Sequence, residues 1–341
     1  MDPILLIKTH ALGDVLLTTP AVRALRKRFP EAKICYLTSR WAAGALEGNP
    51  HLDELFIVED DSLFGGKYYR LAPLLLSLRK RRFGTVIAFS ASRFVHLLAW
   101  LIGAPVRAGF APGLLLTHGV EAGVLQRSYA PAAYNTLLHA LSVPDDGVLL
   151  DFRTREPLLP PELRRFLERY RGRTIGLFCG GGKNPRDSVS AKQWGKGKFL
   201  ELAGRLRAEG YGFLLFGSRH DASLNREIAE SLGESVFDGS GQFAFAEAGH
   251  LMKRCRLFVT NDSAPFHLAY AVGVPTVCIF GPSSAALLAP ELPFCTAVQS
   301  SAECSPCYGN ALFHGCGRPV CMETITVDMV YNECSKLLAA A

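Results

Sequence analysis

The chain has 341 residues, 49% apolar and 20% charged, and its 37 Lys and Arg against 31 Asp and Glu leave a net charge of +6. This balance excludes a disordered chain, and the length suits two domains, each with a core of its own. The longest apolar runs, such as Leu71 to Leu78 and Phe94 to Ile102, are short or carry a Pro, Ser or His, below the roughly 18 apolar residues of a spanning helix. The first apolar stretch has no basic region before it and no small-residue cleavage site after it, so the expected address is the cytoplasm.

Short runs rich in Ile, Val and Phe alternate with longer amphipathic stretches, the pattern of an α/β chain built on mostly parallel sheets. In the first half the expected strands are Ile4 to Ile7, Lys33 to Tyr36, Glu54 to Val58, Thr85 to Phe89 and Val106 to Gly109. Helices are expected near Pro20 to Arg28, Tyr69 to Arg82 and Ser92 to Ile102. Between Pro144 and Gly172 the prolines 144, 157, 160 and 161 and the Arg-rich helix Glu162 to Arg171 read as a domain link. The alternation then resumes with strands Thr174 to Phe178, Gly212 to Phe216, Arg256 to Thr260 and Thr276 to Phe280. Helices are expected over Gly197 to Glu209, Ala222 to Leu232, Ala244 to Lys253 and Ala264 to Val272.

Open parallel sheets bind ligands at the C-terminal ends of their strands, so the chemistry is sought there. The first strand runs into Lys8 to Pro20, where Gly13 permits a close backbone approach and Asp14 stands at the mouth of the sheet. Asp14 reads either as a first-turn carboxylate favoured by the helix dipole or as a general base for a substrate hydroxyl. In the second half, Gly180-Gly181-Gly182-Lys183 offers backbone amides to an anion, and Lys192 offers a point charge to a phosphate. Neither a Walker A pattern nor G-x-G-x-x-G before a helix occurs there, which weakens ATPase and dehydrogenase readings. Asn261-Asp262-Ser263-Ala264 precedes a helix on which Ser263 and His267 stand four apart, an arrangement suited either to a plain helix cap over a core histidine or to a diphosphate pocket.

Lys8 to Pro20, Lys192-x-Trp194, Asn261-Asp262-Ser263-Ala264-Pro265-x-His267-Leu268-Ala269 and Phe280-Gly281-Pro282 stand in the order and spacing of glycosyltransferase family 9. The chain resembles these ADP-heptose:lipopolysaccharide heptosyltransferases over nearly its whole length. The resemblance implies a GT-B architecture, two Rossmann-like domains facing across a cleft: residues 1–160 on the acceptor side, 161–325 on the nucleotide-sugar side, and a C-terminal helix, 326–341, crossing back to the first domain. It makes Asp14 the base and sets Lys192 against the departing ADP. Gly13, Gly180, Gly181, Asp262, Ser263, Ala264 and His267 fall to the donor site, with Gly217 and Ser218 near the adenosine. It further implies inverting transfer of a heptose from an ADP-sugar donor to a lipopolysaccharide core or other lipid-linked acceptor, with no cofactor needed for catalysis. Gly195 follows Trp194 where many relatives carry Pro, and Arg219 stands where some carry an acidic residue near the ribose. An epimerase on the same architecture, or a non-catalytic nucleotide- or lipid-binding module, are the alternatives.

Cys304, Cys307, Cys316 and Cys321 form a compact thiol set that reads either as a structural zinc or iron–sulfur site or as free thiols or a disulfide. The basic run Arg79 to Arg82 and the arginines 164, 165, 169, 171 and 173 read either as solvated helix faces or as attraction to an anionic membrane surface. The latter implies a peripheral protein at the inner face of the inner membrane. No basic motif interleaved with aromatics suggests nucleic acid.

Overall fold

The computed structural model describes residues 2–182, 190–308 and 316–340. The chain forms two compact units, Met1–Arg153 and Thr154–Ala341. The first holds strands β1 (Ile4–Ile7), β2 (Ile34–Ser39), β3 (Glu54–Val58), β4 (Thr85–Ala88), β5 (Val106–Phe110) and β6 (His118–Val120). Its helices are α1 (Leu12–Leu16), α2 (Thr19–Arg28), α3 (Asp60–Phe64), α4 (Ala72–Lys80), α5 (Arg93–Ile102) and α6 (Ala130–Ala140). The second holds β7 (Thr174–Phe178), β8 (Gly212–Leu215), β9 (Val236–Asp238), β10 (Leu257–Asn261), β11 (Thr276–Phe280) and β12 (Cys295–Gln299). Its helices are α7 (Pro161–Arg169), α8 (Lys196–Ala208), α9 (Ala222–Leu232), α10 (Phe245–Met252), α11 (Ala264–Ala271), α12 (Ala285–Leu288), α13 (Val320–Thr324) and α14 (Val327–Ala340).

Each unit is built on one six-stranded parallel sheet. The orders are β3-β2-β1-β4-β5-β6 and β12-β11-β10-β7-β8-β9, so the two share one doubly wound topology. Strands covered on both faces must be apolar throughout, and β1, β7 and β11 are buried at every position. The strand order reverses between β1 and β4 in the first sheet and between β7 and β10 in the second, which opens a crevice at those strand ends.

In the second unit α14 is a layer of that unit's own core. Its Val330 and Cys334 are fully buried among residues from β7, β10 and β11, and its contacts run to α8 and to β10, β11 and β12. On the opposite side, Phe258 of β10 meets Phe216 edge-on with ring centroids 5.4 Å apart. Phe258→Ala is expected to lower stability by about 3–5 kcal/mol, the transfer loss plus an unfilled cavity. A urea midpoint equal to that of the unaltered chain would show that this ring carries no such load.

Candidate functional site

At the end of β1 the first residue past the strand is Lys8, whose ammonium lies 3.9 Å from the Asp14 carboxylate and 5.4 Å from the centre of the Tyr134 ring. Burial works against the Lys8 charge, but Tyr134 and Asp14 opposite it outweigh that and raise its pKa above the ordinary lysine value. Asp14 sits in the first turn of α1 and accepts the Ala11 amide at 3.1 Å, so the capping reading of this carboxylate is realised. It also remains 41% exposed, open to a ligand while ion-paired from below. Thr18 and Tyr36 brace the floor of this corner through a hydroxyl–hydroxyl bond of 2.8 Å. Gly13, next to Asp14, is buried within α1. The regular helix expected at Pro20 is α2, which begins one residue earlier at Thr19.

The second unit's site is built at its own reversal point. Asn261, the last residue of β10 and fully buried, donates from Nδ2 to the carbonyls of Cys179 (3.1 Å) and Gly180 (2.8 Å) just past β7. Its Oδ1 accepts the Trp194 amide at 3.2 Å. One amide side chain thereby fixes the glycine turn and the turn bearing Lys192 to the same strand end. Gly195, at φ +96°, makes the sharp exit from that turn into α8, which explains a glycine there. Trp194 is buried and donates its indole N–H to the Ile325 carbonyl at 2.9 Å, so it packs beneath the turn.

Lys192 Nζ reaches Asp262 Oδ2 at 2.7 Å, in a pair whose side chains are only 13% and 3% exposed. The Ser283 hydroxyl, past β11, donates to the same oxygen at 2.6 Å. Burial alone would raise the Asp262 pKa, but Lys192, His267 and Ser283 hold it below the usual carboxylate value. His267 is buried on α11 with Nδ1 3.2 Å from the Tyr270 hydroxyl. Tyr308 lays its ring 4.3 Å from the Lys192 ammonium. Lys192, Asp262 and His267 are therefore brought together as the sequence suggested, while Ser283 and Tyr308 as direct partners of that cluster were not foreseen.

Other expected residues have plainer local duties. Ser263 is the N-cap of α11, followed by Ala264, but its hydroxyl bonds to the Asn261 carbonyl rather than to a helix amide. Ser218 turns both its amide (2.8 Å) and its hydroxyl (2.7 Å) to Asp221, the N-cap of α9. That carboxylate also explains two glycines: a Cβ at Gly180 would lie 2.2 Å from Asp221 Oδ1, and one at Gly217 would lie 2.9 Å from its Cβ. Gly181 follows in the same turn; Lys183, and the segment from there to residue 189, lie outside the described residues.

The thiol set departs from the metal site that its spacing suggested. Cys304 and Cys316 are exposed, Cys307 is half-buried, Cys321 is buried on α13, and all four are free thiols. Among the described residues no group of three or more His, Cys, Asp or Glu is placed to hold a metal ion. The Cys321 sulfur lies 3.2 Å from where a Cβ on Gly281 would be, beside Met322 under the turn after β11. Burial, together with the neighbouring thiols, pushes the Cys307 and Cys321 pKa values up.

Comparison with known proteins bears on both units. The family model described as "Glycosyltransferase family 9 (heptosyltransferase)" matches residues 152–313, which contain every second-unit site residue named above except Cys316, Cys321, Met322 and Ile325. Lipopolysaccharide heptosyltransferase 2 of Escherichia coli (strain K12) is 27% identical over 295 residues, covering 82% of this chain and 83% of that protein. Lipopolysaccharide heptosyltransferase 3 of the same strain is 27% identical over 282 residues, covering 79% of each. The solved structure of E. coli ADP-heptose lps heptosyltransferase II matches with a TM-score of 0.76 at 24% identity over 99% of both chains. Two doubly wound units with motif-bearing strand ends, shared along four-fifths of the sequence with these enzymes, support a glycosyltransferase of GT-B fold that matches glycosyltransferase family 9 over residues 152–313.

Proposed function

We propose that the protein transfers a heptose from ADP-heptose to a lipopolysaccharide inner-core acceptor with inversion at the anomeric carbon, working peripherally at the cytoplasmic face of the membrane. The observation that carries this reading is the likeness along four-fifths of the chain to proteins named lipopolysaccharide heptosyltransferase, with the Lys192–Asp262 cluster in the matched region. In this reading Asp14 of the first unit takes the proton of the attacking hydroxyl. The acceptor oxygen displaces the diphosphate from the anomeric carbon in one step, and the bond to ADP breaks as the new glycosidic bond forms. Lys192 and the amides around Gly180, Gly181 and the start of α11 meet the charge that grows on the leaving group, so they act most strongly in the transition state. Asp262, Ser283 and His267 hold Lys192 in position, and Gly217 and Ser218 lie toward the nucleoside.

The reaction is tested by incubating the protein with ADP-heptose and a heptose-accepting core lipid. ADP release that depends on the acceptor is expected; donor conversion without acceptor, or binding without turnover, would sink the proposal. Asp14→Asn isolates the base, because an Asn carbonyl still accepts the Ala11 amide. Its turnover should fall by about 10²- to 10⁴-fold in a chain that still folds, with only the modest loss of stability expected where Lys8 gives up a partly exposed counter-charge 3.9 Å away; near-normal transfer would remove Asp14 from the role.

Lys192→Met should be costly twice over. Turnover should drop by about 10²- to 10³-fold, as when one preorganised stabilising donor is lost. Stability should fall by about 3–5 kcal/mol, because a buried carboxylate loses its counter-charge. Asp262 supplies the pH test. Its folded pKa lies below the ordinary 3.8, so its stabilising contribution is present above that value and is lost as pH falls through the folded pKa. The stability deficit of Asp262→Asn against the unaltered chain should therefore be full at neutral pH and shrink on acidification below about pH 4. A deficit that grows with acid would contradict the assigned direction.

A further inference from the structure

The charge of this chain is unevenly placed. The 59 residues from Ser62 to Val120 contain no Asp or Glu and eight Lys or Arg, so this segment carries +8, while the remaining 29 basic and 31 acidic residues sum to −2. The segment includes α4 and α5, which pack side by side and send Leu78, Val95, Leu98, Ala99 and Ile102 into the first unit's core. Their outer surface is not simply polar. Leu76 on α4 is 62% exposed, Leu97 and Trp100 on α5 are 40% and 49% exposed, and Tyr69 in the turn before α4 is 72% exposed.

These residues form a common face. Arg93, Leu97 and Trp100 follow one another at helical spacing on α5, as Leu76 and Lys80 do on α4. The two helices are joined at both ends. Tyr68 before α4 contacts Phe94 of α5 with ring centroids 5.3 Å apart, and Arg79 donates to the Leu101 carbonyl at 3.2 Å. Among the described residues Lys80, Arg82 and Arg93 enter no ion pair, whereas Arg81 is held by Glu54, and Lys67 and Arg70 share Asp61. The other basic cluster differs: on α7, Arg165 pairs with Glu162 and Arg169 with Glu234.

We propose that the outer face of α4 and α5, with the turn before α4, docks the protein on an anionic phospholipid bilayer. Trp and Tyr rings with a polar edge suit the headgroup level, Leu76 and Leu97 suit shallow insertion, and Lys80, Arg82 and Arg93, which no acid pairs among the described residues, suit an anionic complement. Among the described residues no helix is long and apolar enough to cross a membrane, so the attachment is of a face lying on the surface. It does not depend on the chemistry proposed above, since vesicle binding is read without donor or acceptor.

The full chain is sedimented with vesicles of phosphatidylcholine alone or mixed with phosphatidylglycerol. Binding to the mixed vesicles only is expected, and it should weaken as salt is raised. The variants K80E/R82E/R93E and L97S/W100S should each reduce partitioning by about tenfold or more while melting as the unaltered chain does. The control R165E/R169E should bind as the unaltered chain. Equal binding to both vesicle types, no binding, or unaltered binding by either of the first two variants would overturn the proposal. So would a dimer of the free protein that L97S/W100S dissolves without any vesicle binding, which would assign the face to a second copy of the chain.

Discussion

The buried pair of Lys192 and Asp262 is the constraint on which the second unit's site depends. It joins the turn after β7 to the end of β10, and Ser283 adds the end of β11 to the same carboxylate oxygen. Burying two charges is offset only when geometry and further hydrogen bonds are good, and here the carboxylate has an ammonium, a hydroxyl and the field of His267. The pair is formally neutral, so under the function proposed above a diphosphate would meet no bare cation and would compete with Asp262 for the ammonium. In that reading Ser283 and His267 lower the cost of the exchange, because they go on stabilising the carboxylate when Lys192 turns toward a phosphate. A site arranged in this way favours an anion most when its charge is greatest, which is the demand of a leaving diphosphate.

One strand order serves both units, yet it produces different chemistry at the two reversal points. In the first, the residue past the central strand is Lys8, close to a carboxylate on the first helical turn. In the second, a glycine turn follows β7, and Asn261 ends β10 with a side chain that bonds to both the glycine turn and the lysine turn. The scaffold fixes where side chains emerge, and the few residues at the strand ends fix the sign of the field.

The interior strands were legible because burial on both faces demands uninterrupted apolar runs: Ile4–Ile7, Thr174–Phe178 and Thr276–Phe280 are found where the pattern put them, as is the edge strand Glu54–Val58, whose apolar run is half-buried. The other three outermost strands were not. His118–Val120, Val236–Asp238 and Cys295–Gln299 pair on one side only and are mostly half-buried, so neither alternation nor an apolar run marks them. Helix α6, with Pro131 near its start and Asn135 and Thr136 in its middle, also lacks a clear helical stripe, yet it supplies Tyr134 to Lys8. Lys192 and Asp262 were each visible as strand-end residues, but a bond between positions 70 apart leaves no local trace. The cysteines were legible only as a cluster: their spacing does not say which of them is buried, and Cys321 is drawn into the core by α13.

Basic residues in a sequence do not by themselves make a basic surface, and the first unit shows why. Helix α2 carries Arg23, Arg26, Lys27 and Arg28, as dense a cluster as that at the end of α4. Arg23 is held by Asp146 and Asp151, Lys27 by Asp146, and Arg26 by Asp53, so most of that charge is spent within the unit. Helix α2 packs beside α6 and α4 beside α5, and right-handed crossovers place these pairs on opposite faces of the sheet. One face is thus largely neutralised within the unit, whereas on the other Lys80, Arg82 and Arg93 enter no ion pair among the described residues, Glu54 and Asp61 holding only Arg81, Lys67 and Arg70. A field confined to one layer of one unit gives a peripheral protein a preferred orientation on an anionic surface, whereas the same charge spread evenly would attract it without orienting it.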